Sequence, residues 1–163
     1  MHCYFLRHGI AEEPAEWTGS DFDRPLTRAG RVRMEREAKA IAELQLDLEL
    51  IVTSPLLRAR QTAEIVAQRL DMTDALVEDE RLAEGFDAER LGAILRGHGE
   101  AKSILLVGHE PAMSATIGKV VGGSSVEMKK GALAGVELSG PAASTGMLVC
   151  LIPPKLLAAV GKK

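Results

Sequence analysis

Arg7, His8, Arg58 and His109 are the residues of this 163-residue chain whose types and spacing point to shared chemistry. The chain has four histidines. Two of them follow directly on apolar runs: Cys3-Tyr-Phe-Leu6 leads into Arg7-His8-Gly9, and Ser103-Ile-Leu-Leu-Val107 leads into Gly108-His109-Glu110. A third run, Leu50-Ile-Val-Thr53, stops at Ser54-Pro55, with Arg58 in the first turn of the helix that should follow. Arginine supplies planar, permanently charged donors that match phosphoryl oxygens, and a helix N-terminus favours the same anion. A histidine between such cations is held below its ordinary pKa near 6.5, so its neutral, nucleophilic form is favoured. A hydrogen bond from one ring nitrogen to a backbone carbonyl would fix its tautomer and aim the other nitrogen. Gly9 would let the backbone come close to the phosphate, and His109 could donate to the equatorial oxygens in the transition state. Arg60 is read as nearer the core-facing side of its helix and is the weaker candidate. His2 and His98 are read as structural or exposed.

Other chemistries fit less well. No HxxxH, HExxH or cysteine pair offers metal-ligand spacing, so no metal is expected. Gly118-Lys119 lacks the rest of a Walker loop. Cys3 and Arg7 evoke a cysteine-dependent phosphatase loop, but only Tyr4, Phe5 and Leu6 lie between them where that loop needs five residues. Cys3 and Cys150 sit in apolar runs and are read as buried free thiols. The net charge of −3 argues against a broad nucleic-acid or anionic-membrane surface. No apolar run reaches the roughly 18 residues of a membrane span, and Arg7 interrupts the first apolar stretch too early for a signal peptide. The expected location is the cytoplasm.

The elements that must carry these residues follow from periodicity. Residues 2 to 7 read as a strand, and 10 to 26 as a long polar excursion of the kind that is usually functional or disordered. Thr27 reads as the N-cap of a helix to about Leu46, with Val32, Ala38, Ile41, Ala42 and Leu44 on its apolar face. Ser54 as N-cap and Pro55 at the first helical position would open a second helix with Leu56, Ala59, Ala63, Val66 and Leu70 as its core stripe. A short strand at 75 to 78, a helix at 87 to 97, a buried central strand from Ser103 and a helix at 111 to 121 follow. Strand-like pieces at 125 to 129, 132 to 138 and 145 to 152 close the chain, with Gly140-Pro141 as a hairpin. The expected class is α/β: a three-layer sandwich with a mostly parallel central sheet, antiparallel C-terminal strands and helices on both faces. One domain is expected over 1–163. In such open sheets ligands bind at the carboxyl ends of the strands, where the two histidines and two arginines fall.

The chain resembles the histidine phosphatase superfamily, also called phosphoglycerate-mutase-like. Leu6-Arg7-His8-Gly9 matches its N-terminal signature, Ser54-Pro-Leu-Leu-Arg58-Ala-Arg-Gln-Thr-Ala63 its second arginine motif, and Val107-Gly-His109-Glu-Pro its second histidine motif. Arg24-Pro-Leu-Thr27-Arg-Ala-Gly30, Met128-Lys-Lys-Gly-Ala-Leu133 and the short chain bring it near the SixA-type phosphohistidine phosphatases. The resemblance implies that His8 becomes transiently phosphorylated, that Arg7 and Arg58 hold the phosphoryl oxygens, that His109 stabilises the transition state and that Arg24 lies near the phosphate. It implies no large cap insertion and no cofactor. Superfamily members often use a carboxylic acid to protonate the leaving group. Glu84, in Arg81-Leu-Ala-Glu-Gly-Phe-Asp, is the candidate by position. Glu110, water and the substrate itself remain the alternatives. The activity expected is hydrolysis of protein phosphohistidine, for example on a histidine phosphotransfer domain, or of a related phosphomonoester. The competing readings are a sugar or nucleotide phosphatase and a catalytically weak module that recognises phosphohistidine.

Overall fold

The computed structural model describes residues 1–142 and 145–162. Eleven regular elements alternate as β1 (His2–Arg7), α1 (Arg28–Glu43), β2 (Leu50–Thr53), α2 (Leu57–Leu70), β3 (Leu76–Glu78), α3 (Ala88–Gly97), β4 (Ser103–Gly108), α4 (Ala112–Val120), β5 (Leu133–Leu138), β6 (Gly146–Ile152) and α5 (Pro154–Val160). Short 3-10 turns occupy 21–23, 73–75 and 80–82. The strands form one sheet in the order β3-β2-β4-β1-β5-β6. The β1–β4, β2–β4 and β2–β3 pairs are parallel, whereas β5 and β6 run antiparallel. The expected α/β class is therefore the observed one.

Alternation along the strands sorts the core into two layers. Cys3, Phe5, Ile104, Leu106 and Val52 pack with Leu91, Ile94 and Leu95 of α3 and Met113 and Ile117 of α4. Leu6, Ile51, Leu105 and Val107 pack on the other face with Met34 and Ile41 of α1, Ala59, Ala63 and Val66 of α2 and Leu157 of α5. The placement obeys the right-handed crossover rule: the chain moves β1 to β2 to β3 with α1 and α2 on one face, then returns to β4 with α3 on the other. Reversal of direction leaves β1 and β4 side by side, and β2 beyond β4, with their carboxyl ends together. Among the described residues, no helix is long and apolar enough to cross a membrane.

Several local expectations change. Thr27 caps α1, its Oγ1 accepting from Gly30 N at 2.9 Å. The buried face of α1 is Gly30, Met34, Glu37, Ala38 and Ile41, so Val32 and Leu44 fall on the solvent side. The helix also ends at Glu43, short of Leu46. Helix α2 starts at Leu57 with Leu56 as its cap residue, so Ser54 and Pro55 precede the helix and do not open it. Residues 125 to 129 form no strand. The stretch is held to α4 instead, through Met128 N to Ser114 Oγ (3.2 Å) and, just before it, Ser124 N to Gly118 O (3.1 Å). Cys3 is buried, its thiol pKa pushed up by that burial, whereas Cys150 is only half-buried, and both are free. The β5–β6 connection includes residues 143 and 144, outside the described ones, while the residues after Pro153 form α5.

Candidate active site

Three strand ends are laced together at one edge of the sheet. Arg7 pairs with Gly108 across the β1–β4 register, His8 N donates to Gly108 O (3.1 Å), and Ser54 N donates to Val107 O (3.0 Å). This lacing places the residues after β1, β2 and β4 side by side, although they are far apart in sequence.

His8 is buried, and its Nδ1 donates to Gly9 O at 2.8 Å. The carbonyl can only accept, so Nδ1 carries the proton and Nε2 keeps its lone pair. Burial is the largest cause pulling the His8 pKa down to about 3; the Gly9 carbonyl opposes it, and His109, Arg58 and Arg7 add to it. The direction agrees with the expectation from flanking cations, but withdrawal from water is the stronger cause. Gly9 N is committed to Thr62 Oγ1 (3.0 Å), and Thr62 Oγ1 in turn donates to Arg58 O (2.7 Å). One threonine thus ties the His8 loop to the first turn of α2. Gly9 acts through its carbonyl on His8, with its amide turned to Thr62.

The His109 ring lies 5.2 Å from that of His8, centroid to centroid, at 51°. Burial first, then Arg58, lowers its pKa to about 4. Its Nε2 is 2.7 Å from Ser54 Oγ, and its Nδ1 is buried without a protein partner. Leu56 N donates to the same Ser54 Oγ at 3.4 Å. The Ser54 hydroxyl can donate to Nε2 or accept from it, and in either case it holds the His109 ring in place. The site then offers a lone pair on His8 beside a second imidazole.

The two arginines come from opposite sides. Arg7 is anchored by Nη1 to Met128 O at 2.8 Å, and its Nε is buried without a partner. Arg58 donates from Nη1 to Asp21 O (2.9 Å) and from Nη2 to Asp21 Oδ2 (3.2 Å). Arg24 reaches the same carboxylate, Nε to Oδ1 at 2.9 Å, and its Nη1 bonds Glu12 O at 2.7 Å. The Arg24 hydrogen bond is the main reason the Asp21 pKa is lowered. Arg24 therefore stands one carboxylate away from Arg58. Arg60 leaves the group altogether: it is half-exposed and turns to Glu64 and Glu78, against the core-facing reading.

Arg58 and His109 line an open cleft of about 640 Å³ with Asp21, Phe22, Glu84 and Glu110. Glu84 is exposed, on a turn where Gly85 adopts φ 78° and the Glu84 carbonyl accepts from Arg90. Glu110 Oε1 accepts from Ser114 N at 3.0 Å, capping the start of α4. Among the described residues, no three His, Cys, Asp or Glu side chains form a group that could hold a metal ion.

Asp21, Ser54 and Thr62 were not legible as site residues. Asp21 lies in a polar excursion whose path depends on tertiary contacts. Ser54 has the pattern of an ordinary helix cap. Thr62, four residues after Arg58, fits the familiar bond back to a helix carbonyl, with no sign of its second contact at Gly9.

Comparison with known proteins gives the family and the fold. Residues 3–90 match the family model of the histidine phosphatase superfamily (branch 1), and the chain belongs to that superfamily. It is 28% identical over 130 residues to phosphohistidine phosphatase SixA of Escherichia coli K12, covering 78% of this chain and 79% of that one. The solved structure of the protein histidine phosphatase SixA complexed with tungstate superposes with a TM-score of 0.83 at 25% identity, over 95% of this chain and 98% of that one. An uncharacterized protein of Picosynechococcus is 54% identical over 67 residues, a stretch that is 41% of this chain and 40% of that relative.

Proposed function

We propose that this chain is a phosphatase that hydrolyses phosphohistidine on a protein through a phosphoryl-enzyme intermediate on His8. The observation that carries the reading is His8 held at Nδ1 by Gly9 O with Nε2 free, its ring 5.2 Å from that of His109. In the first step the Nε2 lone pair attacks phosphorus. The bond from phosphorus to the substrate's imidazole nitrogen breaks, and its electron pair stays on that nitrogen. A substrate ring already protonated at its other nitrogen leaves as neutral imidazole, so it requires no acid from the enzyme. In the second step water attacks phosphorus and gives up a proton to solvent, the phosphorus–Nε2 bond breaks, and orthophosphate leaves. Arg7, Arg58 and His109 spread the charge on the equatorial oxygens in both steps. A phosphoester lacks the protonated leaving group and needs an acid; Glu84 and Glu110 are the candidates among the four carboxyls, with Asp21 and Glu80, that line the cleft.

Two features favour a protein over a small substrate. The interval between α2 and β4 holds only β3, two 3-10 turns and the ten-residue α3, which fits one unit over 1–163 without a large cap. The likeness to SixA also extends over most of both chains.

The test is turnover by the purified protein on a panel of phosphohistidine proteins, sugar and nucleotide monophosphates and p-nitrophenyl phosphate. The expected result is the highest kcat/KM on phosphohistidine proteins. A higher value on a sugar or nucleotide phosphate would make the small-molecule reading correct. Tight binding of phosphohistidine proteins with no turnover would identify a recognition module.

A further inference from the structure

Arg7 also borders a second cleft, of about 460 Å³, whose walls include Arg33, Lys129, Lys130 and Lys155. None of the residues lining it is a carboxylate. Lys129, Lys130 and Lys155 make no ion pair among the described residues, while Arg33 is held through Nε by Glu37 Oε1 at 2.8 Å. Glu37 is buried, and burial raises its pKa to about 7, so it offsets the cations only in part at neutral pH. Glu127 lies outside, on the neighbouring groove that it shares with Lys129. The concentration of positive charge runs against the chain's net −3.

The lysines are coupled to the candidate active site through the backbone. Gly131 adopts φ 84°, and its N–H is shared between Arg7 O (3.1 Å) and His8 O (3.2 Å). Ala132 N closes the turn on Lys129 O at 2.7 Å. Pro153 and Pro154 start α5 and present Lys155 on the same cleft. The first cleft is richer in carboxylates: Asp21, Glu80, Glu84 and Glu110 line it together with Arg58, which pairs with Asp21. Arg7 thus borders a basic flank and Arg58 an acidic one.

We infer that the cleft of Arg33, Lys129, Lys130 and Lys155 docks a carboxylate-rich segment of the protein that carries the phosphohistidine. The inference rests on the phosphohistidine reading above. Fields of opposite sign on the two flanks orient a folded partner, whose surface carries both signs, and speed its encounter. A nucleic acid carries one sign throughout and would be repelled by the acidic flank.

The test uses two synthetic phosphohistidine peptides, one flanked by Asp and Glu and one by Asn and Gln. Their unphosphorylated fluorescent forms are read by anisotropy. Wild-type protein should prefer the acidic peptide in kcat/KM by roughly tenfold at low ionic strength, and the preference should shrink as salt rises. K129E/K130E/K155E should abolish the preference and the anisotropy signal, with p-nitrophenyl phosphate turnover within about twofold of wild type. K129Q/K130Q/K155Q repeats the test if the reversal impairs folding. An acidic preference that survives either variant, or equal turnover of both peptides by wild type, overturns the docking cleft. Tighter binding of a DNA oligonucleotide than of the acidic peptide does so too. Salt-sensitive binding of the acidic peptide with no hydrolysis of either one overturns the phosphohistidine reading instead.

Discussion

Asp21 takes both terminal nitrogens of Arg58, the arginine proposed to hold a phosphoryl oxygen, so Asp21→Asn has a predictable sign. The carboxylate accepts from Arg58 Nη2 and Arg24 Nε, while the Asp21 backbone carbonyl accepts separately from Arg58 Nη1. The substitution removes the charge and keeps the carbonyl, so Arg58 stays oriented while the anion competing for it disappears. The side chain of Asp21 is 63% exposed, so solvent screens the pair, and its worth is at most about 1 kcal/mol. Since 1.4 kcal/mol is tenfold, the inhibition constants of phosphate and tungstate should fall by up to about fivefold. The assay is competitive inhibition of p-nitrophenyl phosphate turnover by each oxyanion. Because Arg24 holds the Asp21 pKa below the usual carboxylate range, the gain should persist from pH 5 to pH 8. Weaker inhibition in Asp21→Asn would refute the reasoning, because it would make the carboxylate a support that Arg58 needs to bind an anion.

Two further expectations follow from the histidines. Ser54→Ala removes the hydroxyl that holds His109 Nε2 and lets the ring turn; kcat should drop about tenfold with KM little changed, as steady-state kinetics would show. The pKa values of His8 and His109 lie near 3 and 4, below the ordinary 6.5, so both rings are neutral from pH 5 upward. The stability they contribute is therefore present above about pH 6.5 and is lost as pH falls toward those values. Log kcat/KM, corrected for substrate ionisation, should have its acid limb below pH 5, and tungstate should move acid unfolding to lower pH.

The strand ends were legible because apolar runs that stop on Arg-His-Gly or Gly-His-Glu combine a period-two or continuous pattern with residues that a core does not accept. Thr27 was legible as a cap because its signal is local. What escaped was set by distant contacts. Val32 satisfies a helical period but lies off the arc facing α2 and the sheet, which Met34 and Ile41 define. Residues 125 to 129 have strand-like composition, yet their backbone partners are a side chain of α4, the Arg7 guanidinium and a local turn at Ala132. Arg60, two positions from Arg58 on the same helix, turns away from the core because Glu78, on the neighbouring strand, draws its side chain with Glu64, a contact that the spacing along one helix does not reveal.

The central claim is a phosphoryl group on His8, and the most direct measurement is to trap it. A phosphohistidine protein is mixed with the enzyme, quenched in alkali within the first turnover and digested for mass spectrometry. Phosphate should appear on the His8 peptide, disappear as turnover completes and be absent in His8→Ala, which should also fail to release orthophosphate. Full turnover by His8→Ala, or first-turnover product with no phosphate on the His8 peptide, would contradict the account.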